Sequence, residues 1–407
     1  MKIAIATEGS RGDVHPMLAL GQALRRMGHT VVVCGPPDSH EDVAQFGFEL
    51  RPVGMNVRVF LEENAGLIRR SGIKTIRAFK NYVDETAVLQ FSQLPDAVAD
   101  ADLVVGAGVQ VAAHSAAELH DIPYRYVIYC PAFLPTPDHP PLFVRGQHYP
   151  QWCDRALWGL YRRSIWPLIG HLVNGKRAGL GLPPVRDSFR HLVSDQPLVA
   201  SDPELGEVAP GGDYPAVQVG YLHPEHTDEV PSKVLDFVES GQRPVYIGFG
   251  SMADPDPAST TRLVLAAVER AGCRALLSRG WAGFGDAALP DSVHLLDSVP
   301  HSKLFPHLQG AVHHGGAGTT ATTARAGIPQ LVVPHLLDQF YWGEGVHRRG
   351  LGPPPVPRTR LDAENLAAGL RELCDNEWLS EQARGVGRSL AERDAPRLVA
   401  EALLGSL

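Results

Sequence analysis

Cysteine is scarce in this 407-residue chain, basic charge is not in excess, and long apolar runs are missing. The five cysteines, Cys34, Cys130, Cys153, Cys273 and Cys374, are odd in number, far apart, and show no CxxC spacing. That argues against a disulfide scaffold and a zinc framework, and fits a reducing cytoplasm. A formal net charge of −8 argues against nucleic acid as the main partner. No stretch approaches roughly 20 uninterrupted apolar residues, so no membrane-spanning helix is expected, while peripheral contact with a membrane stays open. The opening run Met1–Thr7 is too short for a signal peptide and reads as a strand. The eighteen histidines include no HExxH or comparable ligand pair, so no metal site is expected.

What is present is the patterning of a two-domain α/β protein. Apolar residues make up 44% and charged residues 20%, a globular composition. The length exceeds one ordinary core. Lys2–Thr7 has a buried-strand pattern, a glycine-rich turn follows, apolar residues recur at helical spacing over Met17–Arg26, and Thr30–Cys34 is a second strand. Such a βαβ opening builds parallel sheet. Leu103–Val105 and Arg125–Tyr129 are further strands, and a proline-rich loop, Pro131–Pro150, leads to an aromatic segment with Trp152, Trp158, Tyr161 and Trp166. The second half restarts with a strand at Pro244–Phe249, a Gly250-Ser251 turn and a helix at Thr260–Ala271. Strands at Arg274–Leu277, Val293–Leu295, Ala311–His313 and Gln330–Val333 follow. The stretch Glu204–Pro231, rich in Gly, Pro and acids, reads as the linker, with the boundary between Ala209 and Val219. The expected fold is two facing, Rossmann-like, doubly wound α/β domains, 1–213 and 214–390, binding ligands in an interdomain cleft at their strand C-termini.

The strongest local signal is His313-His314-Gly315-Gly316-Ala317-Gly318-Thr319-Thr320, between a strand and the helical run Ala321–Ala326. Glycines let the backbone approach a ligand, and a helix N-terminus offers unpaired N–H groups, so the segment suits a pyrophosphate. The same turn also serves as a plain connector with Thr319 as helix cap. No Gly-Lys-Ser/Thr follows, which excludes a Walker loop, and the first turn, Glu8–Asp13, lacks the dinucleotide fingerprint. In that first turn Arg11 can clamp a phosphate. Asp13 can take a proton from a hydroxyl, or can simply cap the helix that starts near Pro16. Asp338-Gln339, beyond a strand end, suits vicinal sugar hydroxyls or is a polar loop. Ser251 lacks the closing glycine of a nucleophile elbow.

Taken together these segments resemble the inverting family 1 glycosyltransferases of the GT-B fold over nearly the whole chain. The nearest patterns are sterol glucosyltransferases and bacterial transferases that act on glycopeptide-antibiotic aglycones. The resemblance is carried by Gly9-Ser10-Arg11-Gly12-Asp13, Tyr246–Ser251, Ser278-Arg279-Gly280-Trp281, His313–Thr320, Arg325–Pro329, Asp338–Gly343 and Gly350-Leu351-Gly352-Pro353. It implies Asp13 as general base. It implies Ser10, Arg11, Ser251, His314, Gly316, Gly318 and Thr319 around the donor diphosphate, and Asp338 and Gln339 on the donor sugar. Where many members carry a base-stacking tryptophan this chain reads Ser298-Val299-Pro300-His301, so the base is assigned to Ser278, Trp281 and Val299. His15 stands where relatives often have Gln or Glu. A C-terminal helix in 391–407 is expected to return to the first domain. Acceptor contacts are assigned to Val109, Phe133, Phe143 and Trp152, among walls that also include Phe60, Phe79, Leu134 and Trp158. Asp254-Pro255-Asp256 looks like the DxD metal motif of other glycosyltransferases but reads as a solvated turn.

The implied activity is transfer of a hexose from a UDP- or TDP-sugar to a hydroxyl of a sterol, lipid or secondary metabolite. The implied product is a β-glycoside, formed with no metal and no bound cofactor. The chain is expected as a cytoplasmic monomer or weak dimer. A nucleotide-sugar epimerase and a non-catalytic nucleotide-sugar-binding partner are the alternatives.

Overall fold

The computed structural model describes residues 1–64, 66, 73–209, 213–250, 252, 254–280 and 289–405. Two compact units form: Met1–Phe60 with Ile76–Glu225 and Asp394–Leu407, and Leu61–Thr75 with His226–Arg393.

The first unit holds a seven-stranded sheet of β1 (Lys2–Glu8), β2 (Thr30–Gly35), β3 (Glu49–Pro52), β4 (Leu103–Gly108), β5 (Tyr124–Ile128), β6 (Leu198–Val199) and β7 (Val217–Gln218). The order is β3-β2-β1-β4-β5-β6-β7 and every pairing is parallel. Ile3 and Ile5 of β1 enter one core and Ala4 and Ala6 the other, as a central strand covered on both faces requires. Strand order reverses between β1 and β4, where Ile3 pairs Leu103 and Glu8 pairs Gly108. A doubly wound sheet opens its ligand crevice at that switch point, at the strand C-termini.

The second unit holds β8 (Val245–Gly248), β9 (Ala275–Ser278), β10 (Val293–Leu296), β11 (Gly310–His313) and β12 (Gln330–Val332) in the order β10-β9-β8-β11-β12, again parallel. Its switch point lies between β8 and β11, where His313 pairs Gly248.

Three differences from the sequence expectation have clear causes. The first unit runs on to Glu225, past the expected 213. The supposed linker contains β7, which pairs with β6, and Glu225 exchanges 3.0 Å backbone hydrogen bonds with the Gln22 amide. Two-residue strands such as β6 and β7 carry no readable periodicity. The C-terminal helix is Ala395–Gly405, while Ala391 ends the preceding helix of the second unit. Val399, Ala400 and Leu403 join the first unit's core beside Leu18 and Leu24. Finally, the first helix starts at Arg11 rather than near Pro16, so Pro16 lies inside it. Proline there lacks one hydrogen-bond donor but keeps a helical φ.

Candidate functional site

At the first switch point β1 ends in Glu8, Gly9 turns with φ +142°, and Ser10 caps the helix Arg11–Arg26. A β-carbon on Gly9 would strike the Asp13 carboxylate, so only glycine fits. Asp13 Oδ2 accepts from the Ser10 N–H at 2.9 Å, and Ser10 Oγ accepts from the Gly12 N–H at 3.4 Å: a capping box. The Asp13 carbonyl accepts from the Tyr129 hydroxyl at 2.7 Å, which pins this turn to β5. Burial raises the phenols of Tyr126 and Tyr129, and the Asp13 charge raises them further.

Arg11 does not stand open as a phosphate clamp. It forms a two-pronged pair with Asp42, at 2.9 and 2.7 Å. Burial raises the Asp42 carboxyl, but hydrogen bonds from His15 and Arg11 outweigh it and hold the group at about 2. Asp42 is far off in sequence and carries no signal of this role.

Glu8 also went unread. It is fully buried, accepts from the Tyr82 hydroxyl at 2.7 Å and lies 3.5 Å from the Gln90 amide nitrogen. Burial pushes its carboxyl up to about 7, against the lowering effect of those hydrogen bonds. Gln90 also donates to the Val109 carbonyl at 2.9 Å and accepts from the Val111 N–H at 3.0 Å. A buried polar cluster therefore fixes the loop after β4. Val109 is 37% exposed on that loop. Phe133 instead faces inward and stacks on Phe189 at 5.6 Å. Leu134 and Trp158 are buried, and Phe60 stacks on Tyr82 at 4.4 Å. Phe143 and Trp152 are 62% and 70% exposed, with Phe143 stacked on Tyr161.

At the second switch point the helix Ala317–Arg325 starts four residues earlier than expected, and Gly316 is its N-cap with no side-chain cap bond. Thr319 therefore lies inside the helix and is not its cap. The N–H groups of the first turn have no intrahelical acceptor. The two histidines before the turn divide their work. Buried His313 sits between the Gln330 amide oxygen at 2.7 Å and the Gly315 N–H at 3.0 Å, and burial lowers its pKa to about 4. It is a neutral strut. His314 has a buried Nδ1 with no hydrogen-bond partner among the described residues. A β-carbon on Gly250, φ +59°, would come within 2.8 Å of its ring, and one on Gly316 within 2.5 Å. Burial, then the neighbouring His313, His335 and His301, drive His314 well below its ordinary value. A neutral imidazole is thus wedged between two glycines beside an uncapped helix start. That arrangement can donate to an anion's oxygens.

The loop after β12 packs on the same turn, since a β-carbon on Gly315 would meet the Gln339 carbonyl at 3.1 Å. Leu337 takes φ +50° there, an uncommon conformation for a side-chain-bearing residue. Gln339 Oε1 accepts from the His335 and Leu336 N–H groups, at 2.8 and 3.1 Å. Asp338 accepts from Trp342 Nε1 at 3.1 Å, and burial pushes its carboxyl up to about 6. Ser278 ends β9 half-buried, with its β-carbon 2.8 Å from where Gly248 would carry one. Val299 packs partly buried in the core. Ser251 and Trp281 lie outside the described residues.

Of the expected solvated turn, Asp256 is exposed and Asp254 is not. Asp254 is buried against Arg358 at 2.7 Å and accepts from the Thr260 hydroxyl at 2.8 Å. Asp256 caps the helix Pro257–Ala271 through the Ser259 N–H. Both carboxylates are engaged, and no group of three or more metal-ligating side chains gathers among the described residues. Among those residues, too, no helix is long and apolar enough to cross a membrane.

Known proteins share this plan. Residues 3–128 match the Glycosyltransferase family 28 N-terminal domain, and residues 281–405 match the Erythromycin biosynthesis protein CIII-like, C-terminal domain. The vancomycin aglycone glucosyltransferase of Amycolatopsis orientalis is 36% identical over 88% of this chain and 87% of its own length. A sterol 3-beta-glucosyltransferase of Arabidopsis thaliana is 31% identical over 94% of this chain and 64% of its own. In three dimensions the glycosyltransferase VinC, solved in complex with DTDP, matches 100% of this chain and 99% of its own with a TM-score of 0.72 at 20% identity. The chain belongs to the GT-B glycosyltransferases, the family of the vancomycin aglycone and sterol 3-beta-glucosyltransferases.

Proposed function

We propose that this glycosyltransferase moves a hexose from a TDP-sugar or UDP-glucose to a hydroxyl of an apolar acceptor, a secondary metabolite, sterol or lipid alcohol. The observation that carries the donor half is the unpaired His314 Nδ1 beside an uncapped helix N-terminus. A departing nucleoside diphosphate gathers negative charge. The helix start, His314 and the Thr319 hydroxyl, with Gly316 and Gly318 allowing close approach, stabilise it without a metal. Ser251 joins them by family resemblance. Ser10 and Arg11 take a smaller share, since Gly12 and Asp42 already engage them. Asp338 and Gln339 hold the sugar, the former through the carboxylate oxygen that Trp342 leaves unused. Ser278, Trp281 and Val299 hold the base.

In the acceptor half, Asp13 takes the hydroxyl proton as the oxygen attacks the anomeric carbon opposite the diphosphate. One displacement inverts that centre, so an α-linked donor yields a β-glycoside. Val109, Phe143 and Trp152 offer apolar contact to the acceptor. Phe133 contributes from behind, through the core.

The test is a screen of UDP- and TDP-sugars against apolar alcohols, read by mass spectrometry with and without a chelator. A glycoside with inverted linkage, formed equally with chelator, is the expected product. Donor hydrolysis or epimerisation unaffected by every acceptor would refute transfer. Loss of turnover in chelator, restored by magnesium or manganese, would refute the metal-free mechanism.

A further inference from the structure

Among the described residues, the four most exposed large apolar side chains are Trp152 at 70%, Leu160 at 64%, Phe143 at 62% and Leu168 at 57%. All lie between positions 143 and 168 of the first unit. On the helix Gln151–Ser164, Trp152, Arg155, Ala156, Leu160 and Arg163 recur at spacings of three and four and are all exposed, while Asp154 and Trp158 are buried on the opposite side. The next helix, Trp166–Gly179, packs against it and carries the exposed Pro167 and Leu168.

Charge gathers on the same segment. Between 145 and 186 the chain places Arg145, Arg155, Arg162, Arg163, Lys176, Arg177 and Arg186 against a single acid, Asp154, in a protein of net charge −8. Arg162 is paired with Asp213, and Arg177 with Glu118. Arg155 and Arg163 have no carboxylate partner among the described residues.

An exposed tryptophan and leucines flanked by unpaired arginines match a helix that lies in a lipid interface. The indole sits at headgroup depth, the leucines reach the acyl boundary, and the guanidinium groups meet phosphates. A protein with overall negative charge is repelled by an anionic surface unless one face concentrates cations. A two-fold contact with a second copy would instead press this cationic face against itself.

We infer that the face formed by Trp152, Arg155, Leu160, Arg163 and Leu168 docks on an anionic phospholipid bilayer and lies in its headgroup layer. This goes beyond the transfer reaction, and vesicle binding reads it without any turnover, so either reading can fail alone. The same face would give the enzyme access to alcohols dissolved in lipid.

Co-sedimentation of the full chain is measured with phosphatidylcholine vesicles and with vesicles of roughly one-third phosphatidylglycerol. Binding to the anionic vesicles should be stronger and should fall with salt. Arg155→Glu with Arg163→Glu should weaken it at least about tenfold, from the value of each cation near such a surface. Trp152→Ala with Leu160→Ala should weaken it at unchanged charge. Trp378→Ala, which removes an exposed tryptophan of the second unit, should leave it unchanged. These side chains are all exposed, and circular dichroism checks that each variant is folded. No binding to either vesicle, or undiminished binding by the double arginine variant, would overturn the inference. So would a dimer in ultracentrifugation that Trp152→Ala with Leu160→Ala abolishes, since the face would then belong to a second copy.

Discussion

Each unit sends a helix out of its switch point, and the two helices begin in opposite ways. After β1, Ser10 and Asp13 close a capping box over the start of Arg11–Arg26, and Asp42 holds Arg11. After β11, Gly316 provides no side-chain cap for Ala317–Arg325, and His314 stands beside it with an Nδ1 that has no partner among the described residues. A helix start already occupied by a carboxylate is a poor phosphate site, and its carboxylate is held in the ionised form that can accept a proton. A helix start with open N–H groups is the reverse. Under the proposed reaction, one strand–turn–helix unit would serve two chemistries, with the occupant of the first turn deciding which.

The largest expected effect separates a base from a cap. Asp13→Asn keeps an oxygen that can accept from the Ser10 N–H, so the capping box and folding should survive. Turnover with a true acceptor at saturating donor should still fall by about a hundred- to ten-thousand-fold, the usual worth of a general base. Near-normal transfer would leave Asp13 a cap alone.

Acid and base should strain the two units with opposite sign. His313 sits at about 4 in the folded state against an ordinary 6.5, so the unfolded chain binds protons first as pH falls through that window, and stability is lost. Glu8 sits at about 7 against an ordinary 4.5, so the unfolded chain releases its proton first as pH rises through that window, and stability is again lost. Each shift corresponds to about 3 kcal/mol across its window. In urea unfolding followed from about pH 4 to 7, His313→Gln should remove the second unit's loss of stability toward acid, and Glu8→Gln the first unit's loss toward neutral pH across nearly the same window. Parallel curves for wild type and variant would remove the corresponding group from the argument.

Removing the open end's imidazole should be felt in binding and not in folding. His314→Ala is expected to lower affinity for a nucleoside diphosphate about ten- to a hundredfold by calorimetry, the range for a hydrogen bond to a charged group. Unchanged affinity would move the phosphate elsewhere.

The smallest effect belongs to the closed end. Ser10→Ala should cost about 1 kcal/mol of stability in denaturant unfolding, because a helix loses its N-cap. A variant as stable as wild type would show that the box contributes nothing.

Hydrophobic pattern and glycine placement were enough to read two parallel α/β units, their central strands and the His313–Thr320 turn, because buried parallel strands must be apolar throughout and a tight approach needs glycine. The edge strands β6 and β7 were not readable, since two residues have no period. Nor was the end of the first unit, which depends on Glu225 reaching back to Gln22. Sequence set His313 and His314 side by side and the family resemblance assigned His314 to the diphosphate; only the pairing of β11 with β12 shows why, by setting Gln330 against His313. It marked Arg11 as a phosphate clamp and Asp254 as a solvated turn acid; only the fold brought Asp42 and Arg358 to them. Glu8 read as the opening residue of a turn; in the fold it ends β1, and helix residues more than seventy positions away close over it. Local pattern sets which elements form, because their periods are written in neighbouring residues. Which polar groups are spent in structure and which remain open for chemistry depends on partners distant in sequence, and only tertiary packing brings those together.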